Sequence, residues 1–294
     1  MMQQTDPRRG AALIVVLIFS SLIASLAAVT LRSSMSSAAA GAVFVDEMRA
    51  DQLGRSAADL IAYRLQSDDP QARRGGSFLV HLPLSDVSVD YVSEMARVDV
   101  NAAPPKFVAN LLVAAGADPD LANAIAGRIE RLRRPARTAN APASTTSTAT
   151  APPQPLPDAS RALLRTEQVI DAWGLPESLY RAVRPALTVA SKSSKVDPTL
   201  AGRLVITALM EGDEDKADDF IERRGRGFLN ADEALAQLPQ TSRGFAGFGA
   251  AQAVRAVAHV TVARRFRRDY EIVMAMAGGQ DKPARILSWQ PLLP

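Results

Sequence analysis

Few residues in this chain are of types that do chemistry, and their spacing suits chemistry poorly. The two histidines, His81 and His259, lie far apart, so neither a paired-imidazole metal site nor a two-histidine mechanism is expected. There is no cysteine, which excludes disulfides, a thiolate nucleophile and cysteine-ligated zinc. No phosphate-cradling glycine loop, zinc-binding spacing or nucleophile elbow is present. Gly244, Gly247 and Gly249 sit in a short run that no strand pattern precedes, and it reads as a flexible re-entry into a sheet. The acidic run Glu211, Asp213, Glu214, Asp215, Asp218 and Asp219 offers hard oxygen ligands of the kind calcium takes. It lacks the full loop pattern of a calcium site and reads as a solvated turn. The chain is therefore expected not to be an enzyme, and no cofactor is expected.

What remains is an organisation of elements. The 294 residues carry a net charge of +3 with 47% hydrophobic residues. That is enough chain for two small domains, or for one domain with a large insertion. The charge is too small to argue for nucleic acid by itself. The strongest signal is at the start. Arg8-Arg9-Gly10 precedes an uncharged stretch from Ala11 to Leu31, about the length needed to cross a hydrocarbon core as a helix. The arginine pair should stay cytoplasmic and the rest lie outside. The hydroxyls Ser20, Ser21, Ser25 and Thr30 are expected to bond back to helix carbonyls. From Val43 the apolar residues Phe44, Met48, Leu53, Leu60, Ile61 and Leu65 recur at helical spacing, and Asp68-Asp69-Pro70 should end the helix.

Three readings of this segment compete. A secretory signal would be cut after the apolar run, near Ala38-Ala39-Ala40. A plain signal anchor would not be cut. The third is a prepilin leader, which the run from Arg8 to Ile18 resembles closely. The resemblance implies cleavage by a prepilin peptidase after Gly10, N-methylation of the new terminus Ala11, and retention of the apolar helix as anchor and assembly surface. Most pilins carry a glutamate at the fifth mature position, and here it is Val15. A carboxylate in the membrane is costly unless paired. In the family it is thought to pair with a neighbouring subunit's terminal amine, so Val15 suits a tip subunit with no neighbour above it; an anchor that never assembles would also explain it.

The middle of the chain contains two related segments, Asn101 to Arg133 and Asp197 to Arg224. Each opens with Asn or Asp expected to cap, then shows a short apolar helix, an acidic glycine turn and a second helix ending in arginines. This is a duplication of helix-hairpin-helix type. Such units often bind DNA through hairpin amides, but both hairpins here carry carboxylates that repel phosphate, so no nucleic acid is expected. Between them, residues 135–160 are rich in Ala, Pro, Thr and Ser and read as a low-complexity loop. On either side are alternating strand patterns: Val87 to Val92, Ala96 to Val100, Val254 to Val262, Tyr270 to Met276, and Ala284 to Trp289, with a turn at Gly278 to Asp281.

Val98 to Pro104 resembles the asparagine-rich run that leads into the helical domain of the GspK family, minor pseudopilins of type II secretion. Trp173-Gly174-Leu175-Pro176, with Leu179-Tyr180 and Pro185 to Val189, resembles a second stretch of that family. The resemblance implies an α+β pseudopilin fold: a long N-terminal helix packed on an antiparallel sheet, with an all-α insertion. The domain boundaries expected are a leader at 1–10, a helix at 11–67 with its membrane span at 11–31, a split α/β core at 68–100 and 246–294, and a helical insertion at 101–245. It also implies residence in the bacterial inner membrane with the C-terminal domain in the periplasm. The expected partners are GspI- and GspJ-like minor pseudopilins, the major pseudopilin and the prepilin peptidase. Calcium is possible by family analogy, with no ligands named. The alternative function is a membrane-anchored helix-hairpin-helix protein of a type IV pilus or DNA-uptake system.

Overall fold

The computed structural model describes residues 7–67, 69, 72–134, 162–227, 230–249, 252–279 and 282–292. Helix α1 runs without a break from Pro7–Leu65, 59 residues and about 88 Å at 1.5 Å per residue. Its C-terminal part lies on one face of a five-stranded antiparallel sheet of order β1-β2-β5-β6-β7. The strands are β1 (Gly75–Leu82), β2 (Ser85–Ser93), β5 (Ala253–Val262), β6 (Phe266–Gly279) and β7 (Lys282–Leu292). Period-two burial is clearest in β5, where Val254, Ala256, Ala258, Val260 and Val262 are buried and the residues between them are half-exposed. One face of the sheet thus meets α1, as an antiparallel sheet with one dry face requires.

The expected apolar face of α1 is only partly right. Ile61 and Leu65 are buried, but Val43, Phe44, Met48 and Leu60 are exposed. The surface that meets the sheet is small: Ala50, Gly54, Ala57, Ala58 and Ala62. Small side chains let the helix axis approach the strands closely enough for Val89, Val260, Tyr270 and Ile272 to fill the gap. At Gly54 a Cβ would lie 3.0 Å from the Trp289 ring and 3.2 Å from that of Tyr270.

The sheet is split in sequence, as expected. Ser93 and Val254 face each other across β2 and β5, and the whole helical insertion leaves and returns between them. Strand β1 carries no clear sequence signal because it opens with Gly75-Gly76, poor strand formers. The glycine is required: a Cβ on Gly75 would sit 2.9 Å from the Tyr91 carbonyl oxygen. The strand expected over Ala96 to Val100 is corrected. The Ser93 hydroxyl accepts from the Met95 amide at 3.0 Å and starts a 3-10 turn over Glu94–Ala96. Only Val98–Asp99, β3, is extended, and it pairs in parallel with β4, Leu187–Thr188, apart from the main sheet. Of the expected turn at Gly278 to Asp281, Gln280 and Asp281 lie outside the described residues, as does the loop 135–160.

The insertion has its own core, drawn from Val98 to Ala246 and separate from that under the sheet. The first unit is α2 (Pro105–Ala114) and α3 (Pro119–Arg133), followed by α4 (Val169–Trp173) and α5 (Glu177–Val183). The second is α6 (Arg203–Leu209) and α7 (Glu214–Gly225), followed by α8 (Ala231–Gln237). Gly116 and Gly212 both take φ +91° at the hairpins, where a left-handed residue ends the first helix of each pair. Asp118 and Asp213 cap the second helices.

The expected caps of the first helices are corrected. The residue before α2 is Pro104 and that before α6 is Gly202, neither with a side-chain cap. Asn101 instead bonds the main chain of Leu163 at 2.8 and 2.9 Å. The structurally equivalent pair is Asp99 and Asp197. Asp99 accepts from the amides of Asn101 and Ala102, and Asp197 accepts from that of Thr199. At the far end of each unit an arginine returns to this lead-in. Arg133 donates to the carbonyls of Val100 (2.7 Å) and Ala103, and Arg224 to those of Pro198 (3.0 Å) and Ala201 (2.6 Å). Each unit closes with a parallel contact on its lead-in residue, Val98 with Leu187 and Val196 with Ala246.

Candidate assembly surface

Helix α1 is long and apolar enough to cross a membrane. Every described side chain from Val16 to Ser37 is exposed. Of the four hydroxyls expected to bond back to helix carbonyls, Ser25 and Thr30 do so. Ser25 donates to the Ser21 carbonyl at 2.8 Å and Thr30 to that of Ala27 at 2.9 Å, so neither presents an unpaired donor to an apolar surround. Gly10, Ala11 and Val15 fall within the helix, and their side chains lie outside the described residues.

Between the apolar span and the sheet lie residues 32–45, about 21 Å of helix. Here Val43, Phe44 and Val45 are exposed, with Met48 one turn on. Where the helix reaches the sheet, charge fixes it. Asp46, 4% exposed, accepts from Arg265 at 3.0 Å. Glu47 pairs with Arg268 and Asp51 takes the Tyr270 hydroxyl. Burial first, and then the bond to Asp51, hold the Tyr270 phenol well above its ordinary pKa.

These contacts orient the body. The β5–β6 turn carries Arg265, so that end of the sheet lies where α1 arrives from its apolar span. The Ala263 amide there donates to the Leu84 carbonyl in the β1–β2 turn at 2.7 Å. Ser93, where the insertion begins, lies at the other end. The insertion consequently stands at the end of the sheet away from the apolar span.

A buried charge cluster fastens it there. Glu94, 0% exposed, accepts from Arg255 at 2.8 Å and from Arg97 at 3.2 Å, and Arg255 also meets Glu271 at 2.8 Å. Burial pulls the Arg97 guanidinium below its usual pKa. Burial acts on Arg255 too, but its bonds to Glu94 and Glu271 outweigh it and leave the group raised. A second tie joins Arg74, just before β1, to buried Asp197 at 2.8 Å.

In the acidic run of the second hairpin, Asp213, Glu214 and Asp218 are paired with cations of the same unit. Arg203 bonds Asp218 at 2.8 Å and Glu214 at 3.0 Å, which raises the arginine and lowers the Asp218 carboxyl. Lys216 meets Asp213 at 2.7 Å. Among the described residues no group of three or more His, Asp or Glu is arranged to hold a metal ion. The hairpin amides that could meet a phosphate are taken by protein carboxylates, Asp118 on Asp120 and Leu121, and Asp213 on Lys216. His81 and His259 are not brought together; each faces a cross-strand aspartate, Asp86 at 2.7 Å and Asp269 at 2.9 Å. The structural ties Glu94, Asp99 and Arg255 were missed in the sequence. For Asp99 and Arg255 a charged residue amid strand alternation was the signal available.

No family model matches the chain, and no curated protein matches it. Among solved structures it is similar to a chain of the GspK-GspI-GspJ complex from the type 2 secretion system of enterotoxigenic Escherichia coli. The TM-score is 0.57 at 14% identity, over 84% of this chain and 97% of that one. The chain thus has a pseudopilin-like fold.

Proposed function

We propose that this chain is a GspK-like minor pseudopilin at the tip of a type II secretion pseudopilus, taking part in protein secretion across the outer membrane. The observation that carries the reading is the placement of a bulky helical insertion at the end of the sheet opposite a continuous apolar helix. A subunit that stacks in a filament must leave both ends of its body free for neighbours. This one has its distal end covered, which suits a position with nothing above it. The fold of a component of a GspK-GspI-GspJ complex supports the same reading.

In this role the apolar span anchors the precursor in the inner membrane with the body in the periplasm. Prepilin peptidase cuts after Gly10 and Ala11 becomes the methylated terminus. Val43, Phe44 and Met48, exposed on α1, pack against the helices of GspI- and GspJ-like partners and of the major pseudopilin, burying surface that water otherwise meets. Val15 places no carboxylate in that bundle. The job is mechanical, with no catalytic residue and no cofactor. The paired carboxylates at both hairpins favour this over DNA handling, for which phosphate would have to displace them.

Intact mass and N-terminal sequencing of protein from its own membranes test the processing. A mature chain starting at methylated Ala11 is expected. A start at Met1, or beyond Ala40, would overturn the reading.

A further inference from the structure

A cleft of about 1000 Å³ opens between the insertion and the face of the sheet turned away from α1. Its floor comes from β6 and β7, with Val273, Ala275 and Leu287; its opposite wall is Leu163, Leu187 and Val189. Four cations stand around it, Arg165, Arg184, Lys192 and Arg285, all exposed. Among the described residues none of the four has a carboxylate within 4.0 Å. Two carboxylates line the cleft, Glu167 and Glu271, and Glu271 is already spent on Arg255. The uncompensated charge is thus four positive against one negative.

Lys192 is held there at some cost. Its φ is +53°, a conformation that side-chain-bearing residues avoid. Buried Asp99 fixes it by accepting the Lys192 amide at 2.8 Å.

We propose that this cleft docks an extended acidic segment of a partner protein, its carboxylates on the four cations and its alternate apolar side chains on the floor. Charge complementarity selects this occupant. The chain's own segment at 135–161 borders the cleft in sequence but carries Arg137, Arg161 and Asp158, a net positive charge that the cations repel. Nucleic acid is disfavoured because single strands bind by stacking on aromatic platforms. The lone aromatic in the lining, Trp289, has its ring against Tyr270, at 5.1 Å between centroids.

The test uses the full chain in a non-ionic detergent and a fluorescein-labelled peptide alternating Glu with Val and Leu, read by anisotropy. A peptide with Lys in place of Glu and a labelled oligothymidylate are run beside it. Saturable binding of the acidic peptide is expected, at least about tenfold weaker between about 30 and about 300 mM salt as screening shortens the reach of the cations. Arg165→Glu with Arg184→Glu and Lys192→Glu should abolish it, and Arg285→Glu alone should weaken it severalfold. These side chains are exposed, so the variants should fold. If the triple variant does not, Arg285→Glu decides. Arg131→Glu with Arg223→Glu, outside the cleft, should leave binding unchanged. Equal binding by wild type and the reversed variants would overturn the proposal. So would equal binding of the lysine peptide, or tighter binding of the oligothymidylate. A tenfold gain on deleting residues 138–158 would identify the chain's own segment as occupant and overturn it as well.

Discussion

At the scale of single residues, the burdens fall on positions where size or charge has no slack. Gly54 sits under Trp289 and Tyr270 with 3.0 and 3.2 Å for a Cβ. Gly54→Leu should therefore lower stability by about 1–3 kcal/mol, the range for overpacking a filled core, as read by urea denaturation in detergent. Glu94 is fully buried between two arginines. Glu94→Gln removes the charge but keeps the shape, leaving Arg97 and Arg255 less than fully compensated. A loss of about 3–5 kcal/mol is expected, and an unchanged midpoint would show that Glu271 alone suffices for Arg255. Tyr270 gives a dependence on pH. Its folded pKa is raised, so its contribution is complete below the unfolded value of about 10. Above that the unfolded chain ionises first and stability falls as pH rises. Tyr270→Phe should flatten the alkaline limb, measured as thermal midpoint against pH.

At the scale of elements, the duplication is more regular in space than in sequence. Arg133 and Arg224 do the same work, each donating to two carbonyls of its own lead-in. Each has its pKa lowered by burial, with the lead-in carboxylate, Asp99 or Asp197, acting in the opposite sense. Either arginine changed to Ala should cost about 1–3 kcal/mol, the penalty for buried carbonyls left unpaired. Lys should rescue only partly, because an ammonium lacks the planar fork that spans two acceptors. If the two units are independent, the double variant should cost the sum. A large departure in chemical denaturation would show that they melt through a shared contact, such as the Phe107–Phe245 stack at 5.0 Å.

At the scale of the whole molecule, two cores that share no residue predict a separable insertion. Ser93 and Val254 are partners across neighbouring strands, so an Asn-Gly turn joining them replaces the insertion with a hairpin. The shortened protein should keep its sheet and melt cooperatively, though at lower temperature because the ties at Glu94 and Asp197 are gone. Loss of the sheet signal in circular dichroism would show that the insertion is part of the core. The sequence by itself determined the apolar helix, the strands of clean alternation, the split of the sheet and the presence of a repeat. Each of these is a local period or composition, which the chain carries wherever it is placed. The alternation of Val254 to Val262 fixes a buried face without reference to any partner strand. Tertiary structure decided the rest. That alanines and Gly54, not Phe44 and Met48, form the buried face of α1 depends on how near the sheet lies. That β1 must open with glycine depends on how near the Tyr91 carbonyl lies to Gly75. That Asp99, and not Asn101, matches Asp197 depends on where two arginines some thirty residues on return. The cleft exists only because one folded body was set against the back of another, and no pattern along the chain records a distance between surfaces.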